Sequence, residues 1–201
     1  MSTKSDDRDY RGYVGGCFDT IGAHQLEIAI KFGLRQNHTL LDIGCGSLRA
    51  GRFFIMYLNV GNYCGIEPNR WLVDEGIKKE IGEGFLNFKK PKFSYNDNFE
   101  SLFAIKFDFI IAHSIISHTS LKQMKRLFRE IRRTLKIDGM CLVTAKLGDR
   151  DYSGSEWRYP EGVRFTFKTI LKEAREAKLN AKDIGLDNPT GQSWIKLTHF
   201  K

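Results

Sequence analysis

The apolar pair Leu40-Leu41 runs into Asp42-Ile43-Gly44-Cys45-Gly46 and then into Ser47-Leu48-Arg49-Ala50-Gly51. A strand that ends in two closely spaced glycines before a helix lets the backbone approach a ligand where side chains would block it. A second apolar strand ends in Gly65-Ile66-Glu67-Pro68-Asn69, and its acid stands where nucleoside-binding α/β folds grip two ribose hydroxyls. Taken alone, one Gly-x-Gly is also an ordinary tight turn. Asp42 narrows the choice. A dinucleotide fingerprint aims its N–H groups at a pyrophosphate, which an acid at that point would repel. Asp42 suits a ligand that carries an amino group.

The 201 residues are 41% hydrophobic and 28% charged, enough for one ordinary core. We expect residues 1–9 to form a flexible polar tail and not a signal sequence, and 10–201 to form a single domain, with 10–36 as a leader and leading helix. No run approaches the roughly 18 apolar residues of a membrane span, so a soluble protein with no membrane partner is expected. Cys17, Cys45, Cys64 and Cys141 are scattered without a Cys-x-x-Cys pair, which argues for reduced thiols in the cytoplasm and against a metal site. The net charge of +8 favours anionic partners. Because the lysines are spread along the whole chain, a solvated basic surface is favoured over a nucleic-acid face.

Apolar spacing predicts a leading helix over Ile21–Phe32, stopped by Gly33, and strands at Leu40–Ile43, Tyr63–Glu67, Phe93–Tyr95, Phe107–Ala112 and Met140–Ala145, the last entered through an Asp138-Gly139 turn. Between them the reading places helices over Leu48–Leu58, from an Asn69 cap to about Ile81 with Gly82 and Gly84 as the stop, and over Ser120–Leu135. Thr166–Ala177 also reads as helix, and two strands flank Asp187-Asn188-Pro189-Thr190. Such alternation argues for an α/β, Rossmann-like doubly wound, mainly parallel sheet. Ligands of these sheets sit beyond the carboxyl ends of the strands.

At Asp42-Ile43-Gly44-Cys45-Gly46 the chain resembles the class I S-adenosylmethionine-dependent methyltransferases. That resemblance implies a seven-stranded sheet closed by a C-terminal antiparallel hairpin, with S-adenosylmethionine as cofactor. It implies that Gly44, Cys45 and Gly46 pass under the methionine part, with Arg49 close by. Asp42 then orients the ammonium, and Glu67, Pro68 and Asn69 attend the ribose. The family's third glycine falls at position 48, where this chain has Leu48. Asp97 after the third strand is assigned to the adenine amino group, and Asn98 or Phe99 to the ring; an ordinary polar turn also accounts for Asn96-Asp97-Asn98. His113-Ser114-Ile115-Ile116-Ser117-His118 is similar to the family's fourth motif. It implies His113 and Ser114 near the sulfonium and His118 as the catalytic residue, since imidazole titrates near neutrality. As an alternative, His118 simply enters a helix and bonds backbone.

A Tyr-Val-Gly-Gly leader, Tyr13 to Gly16, together with Gly-Cys-Gly-Ser-Leu-Arg resembles a bacterial subgroup of the same family. There Tyr13, Gly15 and Gly16 would fold over the methionine end; a flexible arm is the alternative. The long polar loop Gly148–Gly162 would bring Arg150, Trp157, Arg158 and Tyr159 over the substrate. The chain has no Asn-Pro-Pro-Tyr or Asp-Pro-Pro-Tyr sequence of the kind that amino-methylating nucleic-acid enzymes use. The leading expectation is methyl transfer to a small-molecule acceptor by direct displacement. An RNA- or DNA-directed enzyme and a non-catalytic binder of S-adenosylmethionine are the alternatives. Acceptor identity, pathway and oligomeric state are not legible.

Overall fold

The strand order of the sheet is β3-β2-β1-β4-β5-β7-β6, formed by β1 (Leu40–Ile43), β2 (Tyr63–Ile66), β3 (Lys92–Ser94), β4 (Phe107–Ala112), β5 (Leu135–Ala145), β6 (Leu179–Asp183) and β7 (Ser193–His199). The computed structural model describes residues 9–200. Most of the expected tail at 1–9 lies outside the described residues. Asp9 is within them, and its carboxylate accepts from Gly12 N at 2.7 Å, capping α1 (Tyr10–Tyr13). Pairings from β3 through to β5 are parallel, and β7 runs antiparallel to both β5 and β6. The strand order reverses between β1 and β4, which opens the crevice of a doubly wound sheet.

The central strands β1, β2 and β4 are buried on both faces and therefore read as nearly continuous apolar runs. Leu41 and Ile43 join the core cluster with Met124, Leu127, Phe128 and Ile131 of α6 (Leu121–Thr134) and Ile170 and Ala174 of α7 (Phe167–Glu176). Leu40 faces the other way, toward Ile28 and Ala29 of α2 (Phe18–Lys31) and Phe54 and Ile55 of α3 (Gly51–Tyr57). The alternation of Leu40 and Leu41 is the period of two that a strand requires. Ser120 and Gln123 form a capping box that starts α6.

Several boundaries differ from the sequence reading. Helix α3 starts at Gly51, because Leu48 has φ +63°, outside the helical region. Asn69 precedes α4 (Arg70–Gly76) without a side-chain cap bond. A π turn at Ile77–Ile81 follows, closed by Gly82 N donating to Ile77 O at 2.7 Å. Gly84 stops nothing, since it lies inside α5 (Glu83–Lys89), a helix with no buried residue and hence no apolar stripe to betray it. Strand β5 begins at Leu135, with Asp138-Gly139 inside it as the pairing with β4 shifts register.

Candidate active site

Beyond the carboxyl ends of β1 to β5 lies a cavity of about 700 Å³, within the range of small-molecule and cofactor sites. Its floor is the turn after β1. Gly44 N and Cys45 N both donate to Ile66 O, at 2.8 and 3.1 Å, tying the turn to the end of β2. Gly44 has φ +76° and Gly46 φ +55°, and a Cβ on either would stand 2.2 Å from Ile115 Cδ1 or 2.8 Å from Val14 Cγ1. Only glycine satisfies both the backbone angle and the space.

Two buried acids flank this turn. Glu67 Oε2 accepts from Gly46 N at 3.0 Å, while Oε1 accepts from Asn69 N at 3.0 Å and from Asn69 Nδ2 at 3.2 Å. Those bonds aim the carboxylate and leave Oε2 with a vacant lone pair on the cavity wall. Burial raises its pKa. Asp42 lies beneath the wall and not on it, with Oδ2 accepting from Tyr63 Oη at 2.8 Å. Burial pushes its carboxyl up to about 7.

The leader crosses above the turn. Ser47 Oγ donates to Tyr10 O at 2.8 Å, and Arg49 Nη1 donates to Val14 O at 2.7 Å and to Gly16 O at 3.3 Å. Buried Glu80, presented by the π turn, accepts from Tyr10 Oη at 2.7 Å, from Arg11 Nη2 at 2.6 Å and from Arg52 Nη1 at 2.9 Å. Arg52 also reaches Asp19 on α2. Two guanidiniums compensate one buried carboxylate, so the leader is bolted to the domain by charge and by backbone. Tyr13 then meets Tyr159 of the loop after β5, ring centroids 5.5 Å apart, and Trp71 at 5.3 Å.

The ends of β4 and β5 form the opposite wall. Ser114, at φ +60°, receives 2.5 Å from Gln192 Nε2 on its hydroxyl and donates its N–H to Thr144 Oγ1 at 2.7 Å. His113 Nδ1 lies 3.2 Å from that hydroxyl and 3.5 Å from Arg49 Nη2. Burial, then the charges of Arg49 and His24, hold this imidazole well below 6.5 and neutral. His118 Nδ1 is 2.7 Å from the carbonyl oxygen of Arg158. A carbonyl only accepts, so Nδ1 carries the proton and Nε2 has the lone pair. Burial, partly opposed by the Arg158 carbonyl, lowers the pKa of this ring too.

Tyr13, Gly15, Gly44, Gly46, Arg49, Glu67, Pro68, Asn69, Asp97, Phe99, His113, Ser114, His118, Trp157 and Tyr159 line one cavity. Six expected residues do not reach its wall. Gly16 gives only its carbonyl to Arg49, and Asp42 bonds Tyr63 behind the wall. Cys45 packs against Leu48 and Val73. Asn98 turns to Glu100, at 3.1 Å from its N–H. Arg150 and Arg158 are exposed, and Arg158 acts through its backbone on His118. The sequence reading lacked Gln123, Lys146, Thr190 and Gln192 on the wall. Lys146 carried no local signal in the sequence.

The sequence pattern of a methyltransferase domain matches residues 41–141, half of the chain. The chain belongs to this methyltransferase domain family. Its fold is that of solved S-adenosylmethionine-dependent methyltransferases. One from Clostridium acetobutylicum is 15% identical, with a TM-score of 0.65 over 97% of this chain and 94% of that one. The glycopeptide N-methyltransferase MtfA is 10% identical, at 0.68 over 92% of each chain. Magnesium protoporphyrin IX methyltransferase from Synechocystis, solved with its demethylated cofactor product, is 12% identical, at 0.67 over 90% of this chain and 83% of that one. Among the described residues of the methyltransferase, no helix is long and apolar enough to cross a membrane. None of their His, Cys, Asp and Glu side chains cluster in threes fit for a metal ion.

Proposed function

We propose that this methyltransferase takes S-adenosylmethionine as methyl donor and a small molecule as acceptor. The chemistry of the site fits that donor: Glu67 on the wall suits the ribose hydroxyls, buried Asp42 behind the glycine turn suits an ammonium, both disfavour phosphates, and the glycine floor admits close backbone approach. When bound, the donor supplies a methyl group on a positively charged sulfur, an easily displaced leaving group. Glu67 holds the ribose hydroxyls with Pro68 and Asn69 beside it. Asp97 and Phe99 take the adenine. The Gly44-Cys45-Gly46 turn, Asp42 behind it, Arg49, and Tyr13, Gly15 and Gly16 of the leader enclose the methionine end. His113 and Ser114 stand beside the reacting centre.

His118 accepts the acceptor's proton at Nε2, its Nδ1–H anchored on Arg158 O. Trp157 and Tyr159 flank that ring, with centroids at 5.6 and 4.9 Å. On the cavity wall beside His118, Trp157 and Tyr159 choose the acceptor. The observation that carries the small-molecule reading is the contact of Tyr13 with Tyr159 across the cavity. A leader and loop that meet at the site narrow its mouth, which favours a compact acceptor over a polymer lying in an open groove. A cytoplasmic setting belongs to this reading, supported by cysteines 17, 45, 64 and 141 standing as separate free thiols.

Calorimetry with S-adenosylmethionine and its demethylated product on wild type and Glu67→Ala, followed by an acceptor screen that detects the product, tests this. Wild type binds both nucleosides, and loss of the Glu67 carboxylate weakens them roughly tenfold or more. Wild type that binds neither defeats the reading. Nucleic-acid binding that falls steeply with salt would instead favour a polymer acceptor.

A further inference from the structure

Lys146 follows the last residue of β5 and reaches the cavity wall. Its carbonyl oxygen accepts from Phe165 N at 3.2 Å, which ties its backbone to the returning loop. Gly162 of that loop, at φ +77°, has no side chain between the groups around it. A Cβ there would stand 2.8 Å from Lys146 Nζ and 3.7 Å from His118 Cε1. The ammonium and the imidazole edge therefore share one small space.

Among the described residues, Lys146 forms no ion pair. Glu161 is exposed on the neighbouring loop, and its charge reaches His118, but it does not close on the lysine. The cavity's acids, Glu67 and Asp97, follow β2 and β3, on the far side of β1 and β4. Three strand spacings separate β2 from β5, about 14 Å, so those acids serve the nucleoside end and leave this cation uncompensated. A half-buried ammonium facing a site without a counter-charge favours an anionic ligand there.

Resting on the small-molecule methyltransferase reading above, we infer that the acceptor carries an oxyanion, a carboxylate or a phosphate group, which Lys146 receives while His118 faces the nucleophile. Lys146 thereby becomes the specificity residue of the acceptor end. Its proximity to His118 fixes the substrate class as a compact one, with the anionic group a few bonds from the methylated atom. The charge of Lys146 also contributes to keeping His118 in its neutral, proton-accepting form.

The test is calorimetry on the protein saturated with the demethylated cofactor product, titrated with benzoate, inorganic phosphate and the neutral benzamide, for wild type, Lys146→Met and Lys146→Arg. At least one of the two anions binds wild type saturably, and which of them does so assigns carboxylate or phosphate. Benzamide binds roughly tenfold more weakly or not at all, Lys146→Met loses about tenfold in anion affinity, and Lys146→Arg retains most of it. Anion affinity that is absent in wild type, equal to that of benzamide or unchanged in Lys146→Met overturns the assignment while product binding stays intact. Failure of wild type to bind the cofactor product at all strikes the underlying reading instead.

Discussion

The Arg49 guanidinium donates to the carbonyl oxygen of Val14 at 2.7 Å, so the arginine directly after Leu48 serves the leader as well as the cavity. Ser47 does the same for Tyr10. The Ser-Leu-Arg segment after the glycine turn is thus a clasp that couples the floor of the site to its cover.

Arg49→Met should release that cover. A partly buried charge-assisted bond contributes about 1.5–3 kcal/mol, and the short α1 packs chiefly through Tyr10, Tyr13 and the adjoining Val14, against Phe18, Leu72, Trp71 and Tyr159. Limited proteolysis should cut near residues 10–16 at least tenfold faster than in wild type, with cofactor slowing it in wild type only. Equal cleavage of the two proteins would mean that the Glu80 network holds the leader unaided.

Asp42 should make cofactor binding depend on pH. Its carboxyl is raised from 3.8 to about 7 in the folded protein, so between those values the fold holds a proton that the unfolded chain has lost. Stability without ligand therefore declines as pH rises from about 4 to 7. A bound ammonium favours the ionised carboxylate and draws that pKa back down. Affinity for S-adenosylmethionine should rise with pH up to about 7 and then level off, with release of a proton in calorimetry near pH 6. In Asp42→Asn the rise should vanish.

His118→Gln should lower turnover by about 10²–10⁴-fold for an acceptor that must lose a proton, while cofactor affinity stays as in wild type. Because the folded pKa lies below 6.5, the base form persists into mildly acid solution. The acid limb of the rate profile should fall below pH 6.5. A limb above that value, or wild-type turnover in the variant, removes the proton-accepting role.

Leu48 is fully buried at φ +63°. Truncating a buried leucine to alanine costs about 2–5 kcal/mol, and alanine keeps the left-handed strain, whereas glycine relieves about 1–2 kcal/mol of it. Leu48→Gly should therefore unfold at higher denaturant than Leu48→Ala, the reverse of the usual order. The opposite ranking would show that the backbone moves once the side chain is gone.

What the sequence determined by itself was local. Apolar runs placed β1, β2 and β4 within a residue, and glycines and acids at strand ends marked Gly44, Gly46 and Glu67, because backbone angle and strand period depend on near neighbours. The exposed helix α5 had no buried face to leave a pattern. Leu48 in a glycine conformation was equally hidden, because its buried contacts with Val73 and Cys45 hold it there. Tertiary structure alone decided the partnerships. Antiparallel β7, inserted between β5 and β6, brings Gln192 to Ser114, and the π turn delivers Glu80 to Arg11 and Arg52. It also turned Asp42 away from the wall and set Lys146 beside His118. Each of these contacts joins segments that meet only once the sheet is assembled, so no window of sequence contains both partners.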